Sequence, residues 1–131
     1  MNQKYNTDLG LLLVRIGLGV IFLVHGLQKF MNLEQTVQFF GMIGLAAFFT
    51  YLVAAVELLG GAAMILGLFP RIAGVLLAIV MIFAIYLVKL KMGFSGGYEF
   101  DLMLLLAALG IASAGPGSYS LNKMFGAKTA M

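Results

Sequence analysis

Six side chains in this sequence could do chemistry: Arg15, His25, Lys29, Glu57, Glu99 and Asp101. All are ionisable, and all sit inside or at the edge of long apolar runs. A charge at the centre of a bilayer costs about 2.5–3.5 kcal/mol on insertion scales, so such residues persist where something pairs or uses them. Glu57 is the most informative, because it lies near the middle of its run. Arg15 is long enough to bridge a turn or two of depth, so an Arg15–Glu57 pair is expected. A Glu57 held neutral by dry surroundings is the alternative. At the other end of the first run, His25 and Lys29 approach the level of Glu99 and Asp101, and a second polar cluster is expected there. His25, the only histidine, could pass protons.

Each of these residues also has a plainer reading. Arg15 with Glu57 could simply pin helix register. Lys29 could extend to the headgroups. Glu99 and Asp101 could serve the start of a helix, where the dipole favours acids. A metal site is not expected, since one histidine lacks companion ligands. The nine methionines read as packing or lipid-facing residues. Tyr86 and Tyr98 read as interfacial. No phosphate loop, nucleophile elbow, HExxH or EF-hand pattern occurs.

The elements that must position these residues are transmembrane helices. Hydrophobic residues make up 63% of the 131 and charged residues 10%, where a soluble domain has about a quarter of its residues charged. With a mean hydropathy of +1.07, too few polar groups remain to coat a soluble globule. The sequence predicts an all-α, polytopic membrane protein: a single domain over residues 1–131, built as a four-helix bundle. The spans are expected at about 9–30, 46–67, 71–90 and 99–114. A short amphipathic segment, Met31 to Leu45, is expected to lie at the membrane surface between the first two. In span 1, Arg15, Leu18, Phe22, His25 and Lys29 fall within an arc of about 80°. That face should look into the bundle. Arg15 and His25 differ in depth by about 15 Å, so they cannot form one compact site alone.

Residues 1–8 are polar and expected to be short and loose, with Asp8 as N-cap of span 1. Span 1 runs too long, and ends too polar, for a cleaved signal peptide, and is read as retained. Gly60 and Gly61, the Ala63–Gly67 pair and the Gly74–Ala78 pair suit close helix approach. Gly67 to Arg71 is a tight turn, with Pro70 starting the next helix. GFSGG, from Gly93, is a loop, and GPG at 115–117 closes span 4. RIGLGVIFLV from Arg15 faintly echoes RIAGVLLAIV from Arg71. Either a duplicated hairpin or shared apolar composition could produce that.

Four spans put both termini on one side. Lys4, Arg15, Arg71, Lys123 and Lys128 fall toward it, and Lys29, Lys89 and Lys91 toward the other. The positive-inside rule then places both termini in the cytoplasm. The eight cations are scattered, so no basic patch exists for nucleic acid. The lipid bilayer is the expected partner, with a homo-oligomer or a redox partner protein in addition. With no cysteine, disulfides and thiol relays are excluded, and electron chemistry would need a bound cofactor or a partner.

The run RIGLGVIFLVHGLQKF (Arg15 to Phe30) resembles the first span of the DoxX family of small bacterial membrane proteins. So do VELLGGAAMILGLFPR (Val56 to Arg71), GGYEFDLMLLLAALGI (Gly96 to Ile111) and GPGSYSLN (Gly115 to Asn122). The resemblance covers nearly the whole chain in order. It implies a four-helix fold in the bacterial inner membrane, with Arg15, His25, Lys29, Glu57 and Glu99 at the family's recurrent polar positions. Two positions depart from the pattern: Asn122 replaces an acid, and Ala46 replaces a proline. Family members are linked to redox systems, including a thiosulfate:quinone oxidoreductase subunit, and distant relatives act as chaperones or adaptors.

Three functions follow as expectations. The first is a membrane subunit of an oxidoreductase or redox-stress system, binding a quinone or similar apolar molecule near an Arg/Glu/His cluster. The second is a non-enzymatic adaptor or assembly factor. The third is a small transporter or proton-coupled channel, which would need an oligomer.

Overall fold

The structure, a computed structural model, describes residues 3–126, with side chains from residue 6 onward. It is an all-helical bundle, as the composition requires, with four helices long and apolar enough to cross a membrane. The first, α1 (Gln3–Met31), leads into a short α2 (Leu33–Met42). Then come α3 (Ala47–Leu66), α4 (Pro70–Ala84), α5 (Glu99–Ala114) and a last short turn, α6 (Leu121–Met124). Between α4 and α5 the chain passes through a wide π-type turn, Ile85–Lys89, and a tight 3-10 turn, Leu90–Met92. The GFSGG loop follows, with Gly93 and Gly96 at φ +80° and +74°.

The start of α1 differs from expectation. Residues from Gln3 onward are already helical, so Asp8 does not cap the helix. It sits one turn and more inside, where its Oδ1 accepts the Ser118 N–H at 3.1 Å. Lys128 and the side chain of Lys4, both counted in the orientation argument, lie outside the described residues.

The spans close into a ring in which α1 packs on α3, α3 on α4, α4 on α5 and α5 on α1. Its centre is filled by Leu18 and Phe22 of α1, Met64 of α3, Leu77 of α4, and Leu104, Ala108 and Ile111 of α5. The outward faces carry Val20, Leu59, Val75, Phe83 and Leu106, all exposed, as lipid-facing positions should be. In lipid there is no hydrophobic drive between helices, so close packing of small residues must hold them. The α1–α3 seam does this with glycine. A Cβ at Gly26 would stand 2.5 Å from the Leu58 nitrogen, and one at Gly61 would stand 2.5 Å from the Leu23 nitrogen. On the other pair, a Cβ at Gly74 would come within 2.7 Å of the Ala108 carbonyl oxygen.

This seam fixes the register of α1 against α3, and the register decides which charges meet. Gly26 abuts Ala54 and Leu58, while Gly19 abuts Gly61 and Ile65. Glu57 is therefore level with His25 and Gly26, and Arg15 is level with the end of α3.

Gly26→Ala is expected to destabilise the detergent-solubilised protein by about 1–3 kcal/mol, the usual cost of overpacking. Gly17, with nothing within 4 Å of a built Cβ, should accept alanine with no loss. Paired thermal melts check this. Equal melting of the two variants would mean that α1 and α3 do not touch as described.

Candidate functional site

The charged residues divide into two groups at opposite ends of the bundle. At the end where α1 begins, Arg15 is 1% exposed. Helix α3 stops at Gly67, whose φ of +73° turns the chain left-handed. Its last carbonyls would go unpaired there, which a dry environment does not tolerate. Arg15 supplies the donors: Nε to the Met64 carbonyl at 3.0 Å and NH2 to that of Ile65 at 3.2 Å. Its NH1 donates to the carbonyls of Pro116 and Tyr119, at 2.8 and 2.7 Å. So the GPGSYS loop folds back onto the guanidinium. Asn122 completes the knot, its Oδ1 accepting the Phe69 N–H at 3.2 Å.

Arg71 does the same for the other helix pair. Its NH1 donates to Ala112 and Ser113 at the end of α5, at 3.2 and 3.0 Å. Each arginine of the echoed segments thus satisfies the terminal carbonyls of its partner helix, and a positive charge at a helix C-terminus suits the dipole.

The expected Arg15–Glu57 pair does not form. By the helical rise the two lie about 16 Å apart along the seam. Helix geometry also aims them away from each other. Side chains lean toward the N-terminus of their own helix, so Arg15 reaches toward the end of α3. By the same rule Lys29 leans back toward the level of Gly26, where Glu57 sits. The observed pair is Lys29–Glu57, with Nζ 2.8 Å from Oε1.

That pair is asymmetric. The Lys29 side chain is 24% exposed and Glu57 only 2%. The second carboxylate oxygen, Oε2, is buried without a partner, as is Thr50 Oγ1 two turns along the same inner face of α3. Lys29 therefore stands between a dry interior and an open cleft of about 490 Å³. The cleft lies between the last turns of α1 and the first turns of α2. It is lined by His25, Gln28, Lys29 and Asn32, and beyond the bend by Gln35, Thr36, Phe39 and Phe40. The bend is at Asn32, where φ −122° and ψ 46° break the helix.

The second expected cluster is only half formed. The His25 ring lies 6.5 Å, centroid to centroid, from Phe100, so α1 does meet the start of α5. Yet no ion pair joins His25 or Lys29 to Glu99 or Asp101 among the described residues. Glu99 is exposed, while Asp101 is buried on the inner face with Leu104 and Ala108. Among the described residues no group of acids and histidines could hold a metal.

Thr50 and the α2 side chains were not singled out by sequence. Thr50 was findable, since it lies seven residues before Glu57 and so on the same helical face. The α2 lining depends on the Asn32 bend, which no local pattern announces.

Residues 10–90 match the family model described as DoxX. The chain is 50% identical over 122 residues, 93% of its length and 90% of the relative's, to a Bacillus subtilis (strain 168) protein named "Putative oxidoreductase CatD". It is 36% identical over 126 residues, 84% of its length and 77% of the relative's, to an uncharacterized membrane protein of Mycobacterium tuberculosis (strain ATCC 25618 / H37Rv). No solved structure matches it.

Removing one partner of a buried ion pair costs about 3–5 kcal/mol, because the other charge is stranded. Lys29→Met should show that loss in a denaturation curve, while the double variant Lys29→Met/Glu57→Leu should recover most of it. Additive losses would mean that the two residues do not interact.

Proposed function

The chain belongs to the DoxX family, and on that premise we propose that it is the membrane-embedded subunit of an oxidoreductase or redox-stress system. Its α1–α2 cleft would hold the head of a quinone or a similar small apolar molecule. The observation that carries the reading is the Lys29 ammonium, held by a buried carboxylate on one side and facing the cleft on the other.

The lining suits such a head. A quinone offers two carbonyl oxygens on a flat apolar ring. Lys29 spends one N–H on Glu57 and keeps two for an acceptor. His25, Gln28 and Asn32 carry further donors around the same space, and Phe39 and Phe40 form an apolar wall. Polar groups that converge beside an apolar wall are what fix a small ligand's orientation in a site. The cleft is at the end of the span and open, so an isoprenoid tail could remain among lipid chains. When bound, the quinone would supply the electron chemistry that a chain without cysteine lacks in its own side chains. The protein's contribution is to bind, orient and polarise.

Roles divide accordingly. Lys29 and His25 donate to the head, and Glu57 holds Lys29 in place through the 2.8 Å ion pair. Arg15, tied to four carbonyls, is structural and leaves the binding site. From α5, Phe100 meets a lining residue, His25, and Glu99 and Asp101 are not part of the lining. A relative of half-identical sequence named as an oxidoreductase supports the redox setting, in which a partner protein exchanges electrons with the bound head. We place the chain in the bacterial cytoplasmic membrane with both termini inside, on the distribution of its lysines and arginines.

Menadione, a quinone without a tail, tests the site. Equilibrium dialysis against the purified protein in detergent should show saturable binding near one per chain. Lys29→Gln should weaken it by about tenfold, equal to roughly 1.4 kcal/mol. Binding no greater than partition into empty micelles would contradict the proposal.

A further inference from the structure

We propose that an anionic head entering the α1–α2 cleft brings one proton with it, and that Glu57 receives that proton on Oε2. The inference rests on the cleft reading above.

The site holds one cation and one carboxylate, Lys29 and Glu57, in contact at 2.8 Å. Their charges cancel. An anion hydrogen-bonded to Lys29 would be a third charge, leaving the site net negative beside the buried Glu57. The ammonium cannot neutralise two anions at once. Among the described residues no second lysine or arginine pairs with the site. From α1 the ionisable groups near Glu57 are His25 and Lys29. From α2 there is Glu34, which is exposed, and α4 carries only Arg71, at the far end. Lys89 lies in the wide turn beyond α4, and α5 brings Glu99 and Asp101, both acids. Of all these, only Lys29 is within ion-pairing distance of Glu57.

Oε2 is the atom suited to the proton. It is buried and has no hydrogen-bond donor, so its negative charge is the least stabilised in the pair. Protonation forms one O–H bond there at the expense of a solvent hydronium and breaks nothing else. The neutral acid then leaves Lys29 wholly to the ligand. A neutral quinone adds no charge, so its binding should take up no proton. By linkage, a ligand that binds together with a proton binds more weakly as pH rises.

The experiment uses two probes on the full chain in detergent: menadione, which is neutral, and 2-hydroxy-1,4-naphthoquinone, which is anionic throughout the neutral range. Titration calorimetry in buffers of different ionisation enthalpy counts the protons. The native protein should take up about one proton per hydroxynaphthoquinone and none per menadione, with the anion's Kd rising toward tenfold per pH unit. Glu57→Gln should bind the anion without a proton, whereas His25→Gln, though it binds the anion more weakly, should still take up about one proton per anion bound. Anion binding to the native protein without proton uptake would overturn the inference and leave the cleft reading standing. So would uptake that survives Glu57→Gln or vanishes in His25→Gln. Failure of both probes to bind would overturn the cleft reading, and this inference with it.

Discussion

Everything at the cleft depends on one ion pair placed where water is scarce. Glu57 is buried inside an apolar bundle, and Lys29 is the cation that the register delivers to it. The pair is a weak source of stability in itself, because desolvating both groups offsets their attraction. Its value is positional. It fixes a long, flexible side chain at the boundary between interior and cleft, with donors left over. An unpaired lysine there would extend into the headgroups, and the cleft would lose its strongest donor.

That pairing is set by backbone contact rather than by charge. Gly19, Gly26 and Gly61 let α1 and α3 approach until their backbones nearly touch, and only one register satisfies all three. Arg15 then lands on the carbonyls that end α3, and Lys29 lands on Glu57. The two arginine ties work at the opposite end. Arg15 and Arg71 each close the last turn of a partner helix, and Arg15 also anchors the 116–119 loop. The ring is therefore locked at the end where α1 begins and α3 and α5 stop. The other end carries the wide turn after α4 and the bend at Asn32.

Much of this was legible in the sequence. The four spans follow from composition and length, and the inward face of α1 follows from the spacing of Arg15, Leu18, Phe22, His25 and Lys29. The small residues at 61 and 74 were rightly marked for close approach. The partner of Glu57 was not legible from depth alone. Depth ignores the lean of side chains toward the helix N-terminus, which carries Arg15 away from Glu57 and Lys29 toward it. The unpaired end of α3 was a second missed signal. A helix stopping at Gly67 inside an apolar protein needs donors, and Arg15 is the nearest source. The cleft itself had no local signature, since it exists only because the chain bends at Asn32 between α1 and α2.

A photoreactive azidoquinone would test the central claim most directly, by mapping labelled peptides in native membranes. The account places the label on the segment from His25 to Phe40, with competition by unlabelled quinone. Label concentrated instead on a lipid-facing groove such as that of Ile72, Val75 and Leu76, or spread evenly over the outer faces, would contradict it.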